Sequence, residues 1–225
     1  MMKKNGFTLA EVLITLAIIG VVATLTLPSL MTNTAEQQAI TSFKKIMNTL
    51  NEAGQMNAAL EGFDYSIGTV GELDDHIEDD VQSLCSLFNE RLQVSREASG
   101  AYGSTGHCQE DPVLVLRDGT AICLGGEDAH DEENGGYWKI WVDTNAQKGP
   151  NEESTCGEHD EGCTTKADRH IHDQFPVTLN RGIAVPGHWT AYEQEGSDGP
   201  DLAARYAMGV GKRAQAGDAA GGGGN

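Results

Sequence analysis

Apolar residues are spread unevenly along this chain. From Phe7 to Leu27 the sequence reads FTLAEVLITLAIIGVVATLTL, with one ionisable residue, Glu11, among 21. Wound as a helix at about 1.5 Å per residue, this run spans roughly 31 Å, close to the thickness of a bilayer core. Pro28 is expected to kink or locally melt the helix where it leaves the membrane. Beyond it the pattern turns amphipathic. Ala35, Ala39, Ile40, Phe43, Ile46, Met47, Leu50 and Ala53 recur at spacings that trace one helical face, with Lys44 and Lys45 off it. Gly54 weakens that pattern and Gly62 ends it.

The remaining chain changes period. Residues 81–94 predict a short helix with Leu84, Leu87, Phe88 and Leu92 inward. Two apolar runs, Pro112 to Leu116 and Ala121 to Leu124, flank Asp118-Gly119, a strong hairpin signal. Tyr137 to Asp143 alternates and predicts a third strand. Phe175 to Leu179 predicts a fourth, placed at a sheet edge because of Pro176. After Gly196 the chain is rich in Gly and Ala and is expected to be disordered, apart from two helical turns at Leu202 to Met208. The predicted class is α+β: a long N-terminal helix, membrane-spanning in its first half, packed on a small antiparallel sheet. The boundaries are a leader at 1–6, a transmembrane and assembly helix at 7–30, its amphipathic continuation at 31–61, a globular head at 62–195 and a tail at 196–225.

Composition narrows the function. The 225 residues hold 15 Lys and Arg against 34 Asp and Glu, a formal net charge of −19. Such a surface repels phosphate, so no nucleic-acid partner is expected. One apolar span and 39% apolar residues exclude a polytopic membrane protein. No G-x-S-x-G, P-loop or H-E-x-x-H occurs, and the seven histidines are scattered through polar loops, so no enzyme is expected. Lys3 and Lys4 precede the apolar run and keep that end in the cytoplasm, which sends the head outside.

The apolar run is too long for a cleaved signal peptide, and Leu27 to Leu30 is a poor cleavage site. A plain anchor fits the length but gives no reason for Glu11, since a carboxylate in a membrane segment costs up to roughly 2.5 to 3.5 kcal/mol. Gly6-Phe7-Thr8-Leu9-Ala10-Glu11-Val12-Leu13 resembles the cleavage and methylation site of type IV prepilins and of type II secretion pseudopilins. The resemblance implies that prepilin peptidase cuts between Gly6 and Phe7 and that Phe7 is then N-methylated. It implies that Glu11 pairs with the N-terminal amine of a neighbouring subunit during assembly. Pro28 matches another position where these proteins often carry proline.

A second segment, Val142-Asp143-Thr144-Asn145-Ala146-Gln147-Lys148-Gly149-Pro150-Asn151, is similar to the V-D-x-N-G-x-x-G-P-N stretch of many pseudopilin-like proteins. Ala146 stands where glycine is usual, and an insertion from Glu152 to Asp168 displaces the follow-on stretch to His172-Asp173-Gln174-Phe175. Together the resemblances imply a structural subunit of a type IV filament machine, most of all a type II secretion-like one. Such a subunit is stored as a single-pass protein of the bacterial cytoplasmic membrane, N-terminus in and head in the periplasm or outside, and then moves into a filament. Its implied partners are prepilin peptidase/methylase, membrane lipid, a membrane assembly platform, and copies of itself or other pilins. The alternatives are a type IV pilus minor pilin and a membrane-anchored exported binding domain that does not polymerise.

Five cysteines would reach an oxidising space, where disulfides persist. Cys156 and Cys163 bound an eight-residue loop, whose closure contributes roughly 2.5 kcal/mol in the chain-entropy model. Cys85 with Cys108 is a second candidate pair, and Cys108 with Cys123 is open on equal terms. Zinc at Cys156, His159 and Cys163, with His170 and His172 near, lacks a second close ligand pair. Some secretion pseudopilins bind calcium in a head loop. Asp143 and Asn145 offer oxygen ligands here, with Glu127, Asp128, Asp131, Glu132 and Glu133 near in sequence. Beyond that calcium candidate no cofactor is expected.

Overall fold

The computed structural model describes residues 7–72, 75–79, 81–95, 113–124, 130–131, 136–156, 163, 169–187 and 199–209. The leader with Gly6, Cys108, His159, the acidic residues 127–128 and 132–133, and the tail at 210–225 lie outside these residues. The chain divides into two compact units, 1–38 and 39–225. Helix α1, Leu9–Leu60, contributes to both. Its helical backbone continues through Pro28, so the local melting expected there does not occur. Proline removes a single N–H donor, and the turns on either side keep theirs.

In the first unit no residue of Leu9–Thr26 is buried. Three threonines interrupt the apolar surface, and each hides its hydroxyl against its own helix. Thr15, Thr24 and Thr26 donate to the carbonyls of Val12, Val21 and Val22 at 2.9, 2.8 and 3.1 Å.

In the second unit the amphipathic stripe of α1 forms the core. Ala39, Ile40, Phe43, Ile46, Met47, Leu50 and Ala53 are all buried, whereas Ala35, in the first unit, is exposed. Strands β1 (Val94–Ser95), β2 (Val113–Leu116), β3 (Ala121–Cys123), β4 (His130–Asp131), β5 (Tyr137–Asp143), β6 (Thr155–Cys156), β7 (Arg169–His170), β8 (Gln174–Asn180) and β9 (Ile183–Pro186) make two sheets. The larger is antiparallel, in the order β1-β2-β3-β5-β8-β9 with β4 also on β5, and β6 pairs with β7 separately. The two-residue side-chain period assigns the faces. Leu114, Leu116, Ile122, Trp138, Ile140, Val142, Phe175, Val177 and Leu179 join the α1 stripe, while Val113, Ala121 and Cys123 form a second, smaller cluster. Phe43 stacks on Phe175 at 4.3 Å between ring centres, which fixes helix against sheet.

Helix α2, Leu84–Arg91, lies inside the predicted 81–94 and buries Leu84, Leu87 and Phe88, while Leu92, also buried, is its extended C-cap. Ser83 and Ser86 cap it reciprocally, each hydroxyl accepting the other's backbone N–H at 3.0 Å. From its last turn Arg91 donates to Asn57 at 3.0 Å and to Glu61 at 2.6 Å, tying α2 to the end of α1.

Two expectations about the second unit are corrected. Strand β8 lies between β5 and β9 rather than at an edge. Pro176 is tolerated there because it pairs with Trp141 at the end of β8 where the β9 ladder has already stopped. Its carbonyl still accepts the Gly187 N–H at 2.9 Å, and the N–H it lacks would point to that same open side. Second, the helical turns expected at Leu202 to Met208 are present but begin earlier, as helix α3, Gly199–Met208, which buries Ala203, Ala204 and Ala207 and so packs on the head rather than standing apart in a tail.

Gly54 sits in α1 where helix propensity alone would favour alanine by about 1 kcal/mol. A Cβ there would stand 2.6 Å from the Tyr65 ring and 2.7 Å from the Gly182 carbonyl oxygen. Gly54→Ala is expected to destabilise the head by about 1–3 kcal/mol, read as a lower urea midpoint at unchanged slope.

Candidate functional site

The N-terminus of α1 carries its own cap. Thr8 and Glu11 stand three residues apart, the spacing of a capping box. The Glu11 backbone N–H donates to the Thr8 hydroxyl oxygen at 3.3 Å. In return Glu11 Oε2 accepts the Thr8 backbone N–H and the Thr8 hydroxyl, both at 2.8 Å. A carboxylate in the first turn also faces the positive end of the helix dipole. Both bonds fall on Oε2, so Oε1 has no partner among the described residues. Phe7, directly before the cap, is 90% exposed.

Around this polar tip the surface is apolar on every side. Leu9, Val12, Leu13, Ile14, Leu16, Ile18, Ile19, Val21, Val22 and Leu25 are each at least 45% exposed. These positions cover all faces of the helix rather than one stripe. Such a helix needs lipid or other apolar helices around it.

The head contains a second polar cluster, built on two buried carboxylates. Asp143 ends β5, and its Oδ1 accepts the Asn145 and Ala146 N–H groups at 3.0 and 2.7 Å. Its Oδ2 accepts Gln174 Nε2 at 3.1 Å. Asp173, just before β8, accepts the Asn151 N–H at 2.8 Å and Asn145 Nδ2 at 3.1 Å on Oδ2, and the Glu152 N–H at 2.8 Å on Oδ1. The two side chains thereby fold the 144–152 loop onto the sheet. Ala146 holds a positive φ of 51°, which is why related segments prefer glycine there. The sequence brought out Asp143 and Asn145, but it did not reveal that Asp173 and Gln174 close the same network across the insertion.

The calcium candidate joins Asp143 and Asn145 to acidic residues of which 127–128 and 132–133 lie outside the described residues, and Asn145 Oδ1 and Asn151 Oδ1 in this cluster are buried without a hydrogen-bond partner among the described residues. Calcium takes about six to eight oxygens. Asp143 and Asp173 spend their oxygens on six N–H donors from the protein. No group of three or more His, Cys, Asp or Glu among the described residues is arranged to hold a metal.

Cys156 and Cys163 form a disulfide with Cα atoms 5.1 Å apart, which removes both thiolates from any zinc site. The candidate pairing of Cys85 with Cys108 is corrected. Cys85 is a free thiol inside the core beneath α2, whereas Cys123 is disulfide-bonded. The inward helical register that buries Leu84 and Phe88 also turns Cys85 away from the surface.

Burial pushes the Asp143 carboxyl up to about 6, helped by the nearby Asp173 charge and opposed by the hydrogen bonds it accepts. In the unfolded chain the carboxyl has its ordinary value of 3.8. Between these values the folded state holds a proton that the unfolded state has lost. Asp143 therefore lowers stability as pH rises through the window, by roughly 3 kcal/mol at most. Asp143→Asn should flatten that decline. Urea midpoints of the two proteins measured from pH 4 to pH 7 should diverge in the direction that favours the variant at higher pH.

No curated protein and no solved structure matches the chain. Residues 1–27 match the family model of the prokaryotic N-terminal methylation motif. That motif is the type IV pilin and pseudopilin signature; it supports a pilin-like exported protein and implies processing by prepilin peptidase.

Proposed function

We propose that this chain is a non-catalytic subunit of a type II secretion-like filament, stored in the cytoplasmic membrane and drawn into the filament through α1. The observation that carries the reading is the tip of α1: a carboxylate with one oxygen capped and one left over, on a helix apolar all round. Cleavage before Phe7 would create an ammonium four residues ahead of the first helical turn's carboxylate. In a low-dielectric surrounding an unpaired carboxylate and an unpaired ammonium each carry a large penalty, which pairing relieves. Within one chain Glu11 is already engaged by Thr8. A neighbour's Phe7 amine then meets the remaining oxygen, which sets the stagger between adjacent helices. The V-D-x-N segment and its Gly-Pro-Asn end favour a secretion pseudopilin over a surface pilus subunit. The subunit needs no cofactor in this reading, and peptidase and methylase act on it as a substrate.

Co-expression with a prepilin peptidase tests the processing. The expected intact mass lacks Met1 to Gly6 and carries one added methyl group on Phe7. A chain that keeps its first six residues overturns the reading. A second measurement separates a filament subunit from a membrane-anchored domain that does not polymerise. Glu11→Ala should reduce recovery in sheared filaments by roughly tenfold or more, the size expected for one lost charge-assisted contact per subunit. A simple anchor would be indifferent to that change.

A further inference from the structure

The small β6–β7 ribbon pairs only two residues on each strand, Thr155 with His170 and Cys156 with Arg169. A ribbon this short does not hold itself together in water. At its base the Ser154 N–H donates to the Gln174 carbonyl at 2.8 Å and the His172 N–H to the Ser154 hydroxyl at 3.0 Å, and two further things brace it. The first is the Cys156–Cys163 disulfide, anchored in β6. The second is α3, which meets both strands and the disulfide along one line of its surface. Gly199 packs so closely on Thr155 and Cys156 that a Cβ would have no room. One turn on, the Leu202 carbonyl oxygen lies 3.8 Å from the Cys163 sulfur. A further turn on, the Arg169 guanidinium stacks 4.9 Å from the centre of the Tyr206 ring and donates to its hydroxyl. Positions 199, 202 and 206 share a helical face at spacings of three and four. The adjoining face buries Ala203, Ala204 and Ala207. Alanine side chains bury little apolar area, and Tyr206 and Met208 are only partly buried against the core, so the apolar anchorage of α3 is modest.

We propose that oxidation of Cys156 and Cys163 is the step that locks α3 onto the head. The reaction is a two-electron thiol–disulfide exchange with an oxidised dithiol protein of the exported compartment. One cysteine thiolate attacks the donor disulfide and releases a donor thiolate. The other cysteine thiolate then displaces the donor sulfur, closing Cys156–Cys163. Both protons and both electrons end on the donor, which leaves as a dithiol. Before this exchange the ribbon and α3 are each held by one brace fewer. Because glutathione-type reductants keep cytosolic thiols reduced, the head is completed only after export. The place of oxidation rests on the exported reading above, whereas the coupling between disulfide and helix does not.

Hydrogen exchange on the full chain in detergent tests the coupling. In the Cys156→Ser, Cys163→Ser double variant, amides of Leu202 to Met208 should exchange about tenfold faster while those of β5 and β8 stay within about twofold. Unchanged exchange in α3 overturns the proposal. So does a parallel acceleration of α3, β5 and β8, which would report general loss of stability. Linkage demands the reciprocal effect at equilibrium. Gly199→Val, which cannot seat against Cys156, should make the Cys156–Cys163 disulfide about tenfold easier to reduce in a dithiothreitol redox buffer at equilibrium, followed by mass mapping of alkylated peptides. An equilibrium constant equal to that of the unsubstituted chain overturns the proposal, and neither result bears on cleavage at Phe7.

Discussion

A carboxylate on a helix without any other charge over twenty residues has few stable resting places. Glu11 finds a partial one in the first turn of its own helix, where Thr8 and the unsatisfied N–H groups meet it. The cap keeps the charge tolerable in the separate chain without using up its bonding capacity. Everything that follows Glu11 along α1 is then free to be apolar, and the threonines among those residues turn their hydroxyls inward onto the backbone. The same helix changes character from Ala39 onward, where one face alone is apolar and a sheet covers it. One continuous element thus serves two solvents, and the switch in hydrophobic period marks the place where one gives way to the other.

Local patterns in the sequence conveyed the elements better than their neighbours. The α1 stripe, the β2–β3 hairpin at Asp118-Gly119 and the alternation in β5 are all short-range signals, and each appears with the expected faces. Pro176 misled because edge position was inferred from the missing donor alone, whereas the ladder beside it simply ends. Strands β1, β4, β6 and β7 contain two residues each, too few to show a period. Helix α3 was only partly legible, since alanine and glycine give little contrast between inner and outer faces. Cys85 could not be separated from the other cysteines by spacing. Its pairing is decided by which face of α2 it occupies.

The polar cluster in the head illustrates the same limit for a site. Asp143 and Asn145 are neighbours in sequence, and their turn geometry is a local property. Asp173 and Gln174 arrive from about thirty residues away, past the Glu152 to Asp168 insertion, because β8 pairs with β5. Two buried carboxylates are then satisfied by backbone N–H groups of the 144–152 loop and by the side-chain amides of Asn145 and Gln174. The arrangement holds a left-handed alanine in place, which needs firm surroundings, and it leaves an acid whose charge is unwelcome in the fold. The loop is therefore rigid at the expense of some stability near neutral pH.

An odd number of cysteines in an exported chain ordinarily invites mispairing while the bridges are being made. Among the described residues Cys85 is the free one. Burial, with the Asp75 charge beside it, pushes its thiol up to about 12. Only the thiolate attacks a disulfide, and burial disfavours that form of Cys85. Once α2 has docked, Cys85 is a chemical bystander. The folding of one short helix thereby edits the list of possible cross-links, so that the oxidation of Cys123, Cys156 and Cys163 proceeds without competition from Cys85.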